Sequence, residues 1–231
     1  MSAEDKIWYL KGINLLKDLS ESDLMRLSGQ CSMAKYGSGD VIYFRDQQPN
    51  IYFIKSGAVK LVQASEGGTE RLVEVIEAGE IFGRLVDSES WADERVVAVG
   101  EIVVCFLPYA QWRQFIRSSS DLEFSFFKWV GFRIRRLERR MDALYFKTSR
   151  QRIVDQLEDI CNRFGKIDSR GHVRVRLSIT HEELAQLAGT SRQHVTSYLS
   201  ELRQDGLIDY NRFGFEFMPA FIEKKNKLTK S

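Results

Sequence analysis

The side chains with the clearest chemical potential lie in one segment, from Thr180 to Leu199. Four of them could form hydrogen bonds with base edges, because arginine pairs with guanine and glutamine with adenine in bidentate fashion. These candidate base readers are Arg192, Gln193, His194 and Ser197. Three hydroxyls could hold phosphates together with nearby backbone N–H groups. They belong to Thr180, Thr190 and Ser191.

The elements that would position these side chains are two short helices. Thr180 and Glu183 have the spacing of a capping box, which predicts the start of the first helix. Gly189 would close that helix, and Ser191 would cap the next one. Two helices joined by a short glycine turn predict a helix-turn-helix, whose second helix enters the major groove. The simpler alternative is a helical hairpin without a role in DNA binding.

The chain after this pair predicts a wing. Asp205-Gly206 is followed by two short β-rich runs around Arg212–Gly214. The region would form a small hairpin beside the helices, and Arg212 becomes a further candidate contact to DNA. Residues 148–231 carry 14 Lys and Arg against 11 acids, or +3. This mild excess permits a nucleic-acid partner without demanding one.

A long helix over about residues 121–146 carries a narrow apolar seam. Its members recur at steps of three and four, which is the a/d pattern of a helix that pairs with its own copy. They are Phe127, Val130, Ile134, Leu137, Met141 and Leu144. The flanking arginines between positions 133 and 140 predict a solvated face. We therefore expect a homodimer, while a helix packed on its own domain is the alternative.

Residues 31–108 alternate short β-rich runs with glycines, and the turn at 66–69 predicts a hairpin. The runs are Val41–Phe44, Ile51–Ile54, Ala58–Val62, Arg71–Ile76, Val96–Val99 and Ile102–Leu107. This spacing predicts a small all-β barrel or double sheet. Short helices are expected over residues 1–30 and over Tyr109–Ile116. The predicted domains are a β sensor at 1–117, a dimerisation helix at 118–147 and a winged helix-turn-helix at 148–231.

Composition narrows the function classes. The chain has 231 residues, and 34 Lys and Arg face 32 Asp and Glu, which excludes a histone-like polycation. The three cysteines, Cys31, Cys105 and Cys161, suit a reducing cytoplasm in which each thiol fills apolar space. The pattern offers no membrane span, no metal or haem ligand set in the sensor, and no nucleophile–base pair. We therefore expect a cytoplasmic protein that is not an enzyme and has no membrane partner.

Several segments together resemble the Crp/Fnr family, the bacterial regulators related to the cAMP receptor protein. They are Gly37–Asp40, Ile51–Leu61, Gly79–Gly83, Arg95–Val99 and the helix-turn-helix. The resemblance implies an α+β fold: an N-terminal β-roll (a double-stranded jelly-roll like that of cyclic-nucleotide-binding domains), a long dimerisation helix and a C-terminal winged helix-turn-helix. It also implies double-stranded DNA and RNA polymerase as partners. Arg192, Gln193 and Ser197 match the family's base-reading positions; Gln193 and Ser197 differ from its common residues, so a distinct half-site is expected.

The effector pocket implied by the resemblance departs from the family pattern. Its tentative members are Phe82, Gly83, Arg84, Leu85, Arg95, Val96, Val97, Leu137 and Glu138. The family's Gly-Glu-Leu turn becomes Gly83-Arg84-Leu85, its Arg-Ser or Arg-Thr pair becomes Arg95-Val96, and its Thr-Ser pair on the long helix becomes Leu137-Glu138. Losing several polar contacts at about 1 kcal/mol or more each disfavours cAMP.

Two interpretations of this pocket stay open. In one, Arg84 and Arg95 bind a more anionic small effector, helped by backbone N–H groups at Gly83. In the other, Arg84 pairs with Glu138, and Arg95 pairs with Asp93 or Glu94, so that the barrel needs no ligand. We favour the second, because neutralised arginines are commoner than unassigned ligand sites.

Two other function classes compete with a DNA-binding regulator. A small-molecule-binding protein could act through protein partners and keep a vestigial helix-turn-helix, which the mild charge of residues 148–231 allows. A nucleotide-processing enzyme would need catalytic residues that the sequence does not offer.

Overall fold

The computed structural model describes residues 3–44, 49–65, 67–83 and 93–228. Backbone contacts divide the chain into an N-terminal unit, Met1–Glu138, and a C-terminal unit, Arg139–Ser231. Both sheet and helix occur in each unit, as the predicted α+β class requires.

The N-terminal unit is built on one six-stranded antiparallel sheet. Its strands are β1 (Ser32–Tyr36), β2 (Val41–Phe44), β3 (Asn50–Ala64), β4 (Glu70–Glu77), β5 (Ile81–Gly83) and β6 (Asp93–Pro108). The order β1-β6-β3-β4 forms the main path, while β2 pairs with β6 and β5 pairs with β3. Between β3 and β4, Gly68 N–H donates to the Ser65 carbonyl at 2.9 Å, which confirms the predicted hairpin over its described part; Glu66 lies outside the described residues.

Two predicted breaks in this sheet are absent. The sequence separates Ile51–Ile54 from Ala58–Val62 and Val96–Val99 from Ile102–Leu107, but β3 and β6 each run through the gap. Gly57 and Gly100 have φ of +87° and +75°, so the chain shifts register at them without leaving the ladder. A Cβ on Gly57 would lie 2.6 Å from the Glu101 carbonyl oxygen, so only glycine fits there.

Helices flank the sheet at both ends of the unit's sequence. They are α1 (Ala3–Leu10), a short 3-10 helix (Asn14–Leu16), α2 (Glu21–Gln30), α3 (Tyr109–Arg117) and α4 (Ser120–Phe146). Ser20 caps α2 by accepting from the Asp23 N–H at 3.1 Å, as its sequence predicts. The boundary between the two units falls inside α4, after Glu138.

The C-terminal unit combines helices with a four-stranded antiparallel sheet. Its elements after α4 are α5 (Ser149–Phe164), β7 (Gly165–Ile167), β8 (Val173–Val175), α6 (His181–Ala188), α7 (Arg192–Gln204), β9 (Ile208–Asn211), β10 (Gly214–Phe217) and α8 (Pro219–Leu228). The strand order is β7-β8-β10-β9. The predicted hairpin at Arg212–Gly214 is present as β9 and β10, whereas β7 and β8 are too short to show a strand pattern in the sequence.

Apolar interiors hold each unit. In the N-terminal unit, one cluster packs the helices against the sheet around Trp112 and Phe53, and a second fills the sheet's inner face around Tyr52 and Phe82. The three cysteines are all buried, as their expected role in filling apolar space requires.

Candidate DNA interface and effector region

The predicted helix-turn-helix is present with each of its predicted caps. The Thr180 hydroxyl accepts from the Glu183 N–H at 3.1 Å, and the Glu183 carboxylate accepts from the Thr180 N–H at 2.8 Å. Gly189 ends α6 with φ of +60°, and Ser191 caps α7 by accepting from the His194 N–H at 3.3 Å. These caps are local interactions, so the sequence alone could specify them.

The predicted base readers share the exposed face of α7. Val195, Leu199 and Leu202 are buried, which fixes how the helix is rotated about its axis. The opposite face carries Arg192, Gln193, His194 and Ser197, all exposed. The geometry therefore presents these side chains to solvent at the N-terminal end of α7, where a duplex would meet them.

The predicted phosphate-holding hydroxyls lie at the two helix starts. Thr190 Oγ1 and His194 Nδ1 are 3.2 Å apart, so His194 is held by a residue of the turn. Thr180 and Ser191 sit at N-caps, beside backbone N–H groups that can donate to phosphate oxygens. Their contacts with DNA, and those of the base readers, stay predictions.

His181, at the first position of α6, connects three elements that the sequence analysis did not link. Its Nδ1 is 2.9 Å from the Thr196 hydroxyl on α7, and its ring packs edge-to-face on Tyr210 of β9 with centroids 5.4 Å apart. Burial and then the positive charges of Arg192 and Arg203 lower the pKa of His181, which favours the neutral ring. Thr196 is exposed and lies one turn after Arg192, which adds it to the candidate interface.

Arg152 of α5 fixes the turn between α6 and α7. Its guanidinium donates to the Ala188 carbonyl at 2.8 Å, the Gly189 carbonyl at 2.8 Å and the Lys147 carbonyl at 2.7 Å. The Leu144 side chain also lies at the turn, 2.5 Å from where a Cβ on Gly189 would be. The end of α4 is thus tied to the turn before α7, a link that sequence spacing could not show because the partners are far apart in the chain.

A polar cluster occupies the far end of the small sheet. Ligand atoms of Asp168, His172 and Glu216 lie within 4.8 Å of one another. Arg170 and Arg174 each contact both carboxylates at 3.3–3.4 Å. These guanidinium groups supply the positive charge that a cation would bring, so the cluster is a self-neutralised network of the hairpin.

Most of the predicted dimer seam is exposed in the single chain. Phe127, Ile134, Leu137, Met141 and Leu144 are each more than half exposed. Val130 is half-buried and packs against the helical core of the N-terminal unit. A row of exposed apolar side chains on one helix is typical of a face that a partner covers. The pairing itself stays a prediction.

The predicted effector pocket has a packed interior. Phe82 stacks on Tyr52 with centroids 4.7 Å apart and Val96 is buried, so both belong to the core. Val97 is half-buried and Glu138 is exposed on α4. Gly83 has φ of +114°, and a Cβ there would collide with the Asn50 carbonyl. Arg84 and Leu85 lie outside the described residues, as does the proposed pairing of Arg84 with Glu138.

Arg95 pairs with an acid that the sequence did not indicate. Its guanidinium contacts Glu70 of β4, whereas Asp93 or Glu94 was the expected partner; the Asp93 side chain lies outside the described part of the structure. Side chains alternate along a strand, so Glu94 points to the other face, and Glu70 is reached across β3. Arg95 Nε is buried, and no group of the described residues forms a hydrogen bond with it.

A second ionic group joins β4 to α4 within the N-terminal unit. Glu74 is only 7% exposed, and its carboxylate accepts from Arg133 at 2.8 Å and pairs with Arg136. Burial lowers the pKa of Arg133, while it raises the pKa of the neighbouring Glu94 carboxyl. No sequence signal marks Glu74, because the partners of a lone acid in an apolar strand become visible only in three dimensions.

Comparison with known proteins gives two domain matches. Residues 33–119 match the family described as cyclic nucleotide-binding domain, and residues 151–217 match the Crp-like helix-turn-helix domain. No helix in the described part of the chain is both long and apolar enough to cross a membrane.

Known relatives match most of the chain. The chain is 26% identical over 192 residues to the cAMP-activated global transcriptional regulator Vfr of Pseudomonas aeruginosa, covering 80% of this chain and 88% of that one. It is 26% identical over 178 residues to the global nitrogen regulator of Synechocystis, covering 76% and 79%. In fold it resembles the c-di-GMP responsive regulator CLP of Xanthomonas campestris, with a TM-score of 0.69 at 18% identity, over 86% of this chain and 99% of that one.

Proposed function

Because the chain belongs to the Crp/Fnr family of DNA-binding transcriptional regulators, we propose that it acts in the cytoplasm as a homodimer bound to a palindromic operator. The observation that carries the proposal is the exposed polar face of α7, positioned by two N-caps and a left-handed glycine. Control of transcription would follow from contact with RNA polymerase or from blocking its access.

The apolar seam of α4 supports the dimer. Burying five half-exposed side chains against a second copy supplies the driving force for association, at about 25 cal/mol per Å² of apolar surface. Two copies of α7 about 34 Å apart could enter successive major grooves on one side of the duplex. The bonds of Arg152 and the contact of Leu144 with Gly189 would transmit a movement of the end of α4 to the turn before α7.

Replacing Arg192 tests the base-reading assignment. The operator is first selected from a random duplex library with the full-length protein. Arg192→Ala should then lose about 1–3 kcal/mol of discrimination between the operator and a half-site mutant, because a bidentate contact to one base is removed. Binding is measured by fluorescence anisotropy, and sedimentation checks that the dimer persists.

Arg170→Ala is the matched control, because it removes the same charge from the same unit at the β7–β8 hairpin. Its discrimination should equal that of the wild type. Identical discrimination by Arg192→Ala would refute the assignment. The alternative is a regulator that acts through protein partners and keeps a vestigial helix-turn-helix. Binding to random duplex, measured at increasing salt concentration, separates it from a DNA-binding regulator, because the affinity of a DNA-binding protein falls steeply with salt.

We also propose that operator binding needs no cyclic nucleotide. The support is that Arg95 already pairs with Glu70, that Arg133 and Arg136 already pair with Glu74, and that Phe82 and Val96 fill the interior. The relatives differ in effector, since Vfr is named for cAMP and CLP for c-di-GMP. A small anion that displaces Glu70 from Arg95 is the second candidate.

The effector proposal predicts that operator affinity is the same with and without cAMP or cGMP at about 1 mM. That concentration is roughly a thousand times a micromolar dissociation constant, so a nucleotide of that affinity would saturate its site. Dialysed protein is titrated with operator under both conditions. A tenfold gain with a nucleotide that disappears in Arg95→Ala would overturn the proposal. A gain with a small polyanion alone would support displacement of Glu70.

A further inference from the structure

Arg212 and Phe213 lie at the tip of the hairpin between β9 and β10, and their side chains do not stabilise the turn. The Asn211 side chain accepts from the Phe213 N–H at 2.8 Å, and the Ser178 hydroxyl donates to the Arg212 carbonyl at 3.0 Å. The positive φ falls on Gly214. Tight turns usually take Asn, Asp or Gly because of these backbone demands. Since Asn211 and Gly214 meet them, the types of Arg212 and Phe213 need another reason.

The aromatic side chain of Phe213 is largely exposed to solvent. It is 65% exposed, and the Arg212 guanidinium lies 4.6 Å from its ring centroid. Arg176, which directly follows β8 of the same sheet, and Phe213 line one groove of about 370 Å³. The tip therefore joins an apolar surface to positive charge, which matches a polyanion that also offers apolar surface.

The tip and the reading face of α7 belong to one side of the C-terminal unit. His181 contacts Thr196 on the exposed face of α7 and Tyr210 on β9, two residues before Arg212. The Ser178 hydroxyl donates to the Arg212 carbonyl, and Ser178 lies two residues before Thr180, the N-cap of α6 that we expect to hold a phosphate. A duplex seated on α7 would therefore run beside the wing.

We propose that Phe213 is a DNA-contacting residue whose ring lies against the minor groove beside the half-site read by α7, with Arg212 in the same groove. The inference rests on the proposed DNA-binding function. A phenyl ring cannot bond phosphates, so it gains affinity only against sugars or base steps, where apolar wedges are used. Arginine favours the narrow, strongly negative minor groove of A·T-rich DNA. The pair thus selects A·T-rich flanks that α7 never touches.

The test compares two duplexes with identical selected half-sites and either A·T or G·C flanks. Wild-type protein should favour the A·T flanks at least threefold. Phe213→Ala should lower the flank preference to what Arg212 alone supplies and keep its half-site discrimination, while Phe213→Leu should lose less of the preference because leucine can also act as a wedge. Ile167→Ala is the matched control, because Ile167 is 78% exposed on β7 of the same unit, and it should behave as wild type.

The outcomes separate the two proposals. A wild type without flank preference, or a Phe213→Ala protein that keeps the full wild-type preference, overturns the assignment of Phe213 while the role of Arg192 stands. If wild type and Arg192→Ala both bind DNA without sequence preference, the proposed function itself fails. Thermal unfolding of each variant, expected at the wild-type midpoint, shows that a lost preference is not a lost fold.

Discussion

The two units of this chain relate to their family in opposite ways. In the C-terminal unit, every predicted cap and turn of the helix-turn-helix occupies its expected place, and Gln193 and Ser197, which differ from the residues common in the resembled family, are exposed. In the N-terminal unit, strands form in the predicted regions, with two predicted pairs merged into β3 and β6, and the described pocket members Arg95 and Phe82 form an ion pair and a ring stack. Under the proposal that no cyclic nucleotide is needed, the scaffold of a sensor would be retained while its binding chemistry is replaced.

The buried carboxylate of Glu74 should give the largest effect. Glu74→Ala removes the buried carboxylate that Arg133 and Arg136 share, so the N-terminal unit should lose about 3–5 kcal/mol of unfolding free energy. Urea unfolding followed by tryptophan fluorescence measures this unit, because all four tryptophans precede residue 139. Glu101→Gln changes an exposed acid on β6 and should cost almost nothing. Equal losses of unfolding free energy in the two variants would show that the ionic group of Glu74 does not stabilise the N-terminal unit.

The turn held by Arg152 should give a smaller effect in the other unit. Arg152→Met keeps the aliphatic stem but removes three charge-assisted hydrogen bonds, which should cost about 1–3 kcal/mol because water reaches part of the site. Hydrogen exchange at the amides of residues 188–191 should speed up, and operator affinity should fall. Arg150→Met removes a surface ion pair with Glu201 and is the control. Unchanged exchange in Arg152→Met would contradict the role of this side chain.

Whether the sequence could predict an interaction depends on how far apart its partners lie in the chain. The Thr180–Glu183 box, the Gly189 cap and the Ser191 cap each involve residues within four positions, so residue types and spacing specify them. The bonds of Arg152 to Ala188, the pairing of Glu70 with Arg95 and the Glu74 group join residues 25 to 62 positions apart. Such pairs depend on strand order and helix packing, which single-sequence patterns do not encode.

The same range explains the misread strands. Gly57 and Gly100 look like turns because glycine usually punctuates strands, whereas β3 and β6 use them as register shifts inside a continuous ladder. Only the partner strand decides between a turn and a bulge, since the bulge is defined by two residues facing one.

The smallest predicted effect is a pH dependence of opposite sign in the two units. Burial and nearby positive charge lower the pKa of His181, so below its ordinary value of 6.5 the unfolded chain binds more protons and the C-terminal unit loses stability as the pH falls. Burial raises the pKa of Glu94 above 4.5, so the folded state keeps that proton longer and the N-terminal unit gains stability as the pH falls toward 4.5. His181→Gln and Glu94→Gln should each flatten one of these slopes. Circular dichroism follows both units from about pH 7.5 down to 4.5, a range that includes the ordinary pKa values of 6.5 for His181 and 4.5 for Glu94. Tryptophan fluorescence follows the N-terminal unit alone. The contradicting outcome is that stability changes with pH in the same direction in both units, or that neither variant changes the slope of stability against pH. Other groups would then control the acid response. The electrostatic contrast between the units would then rest on the ion pairs of Glu70 and Glu74 alone.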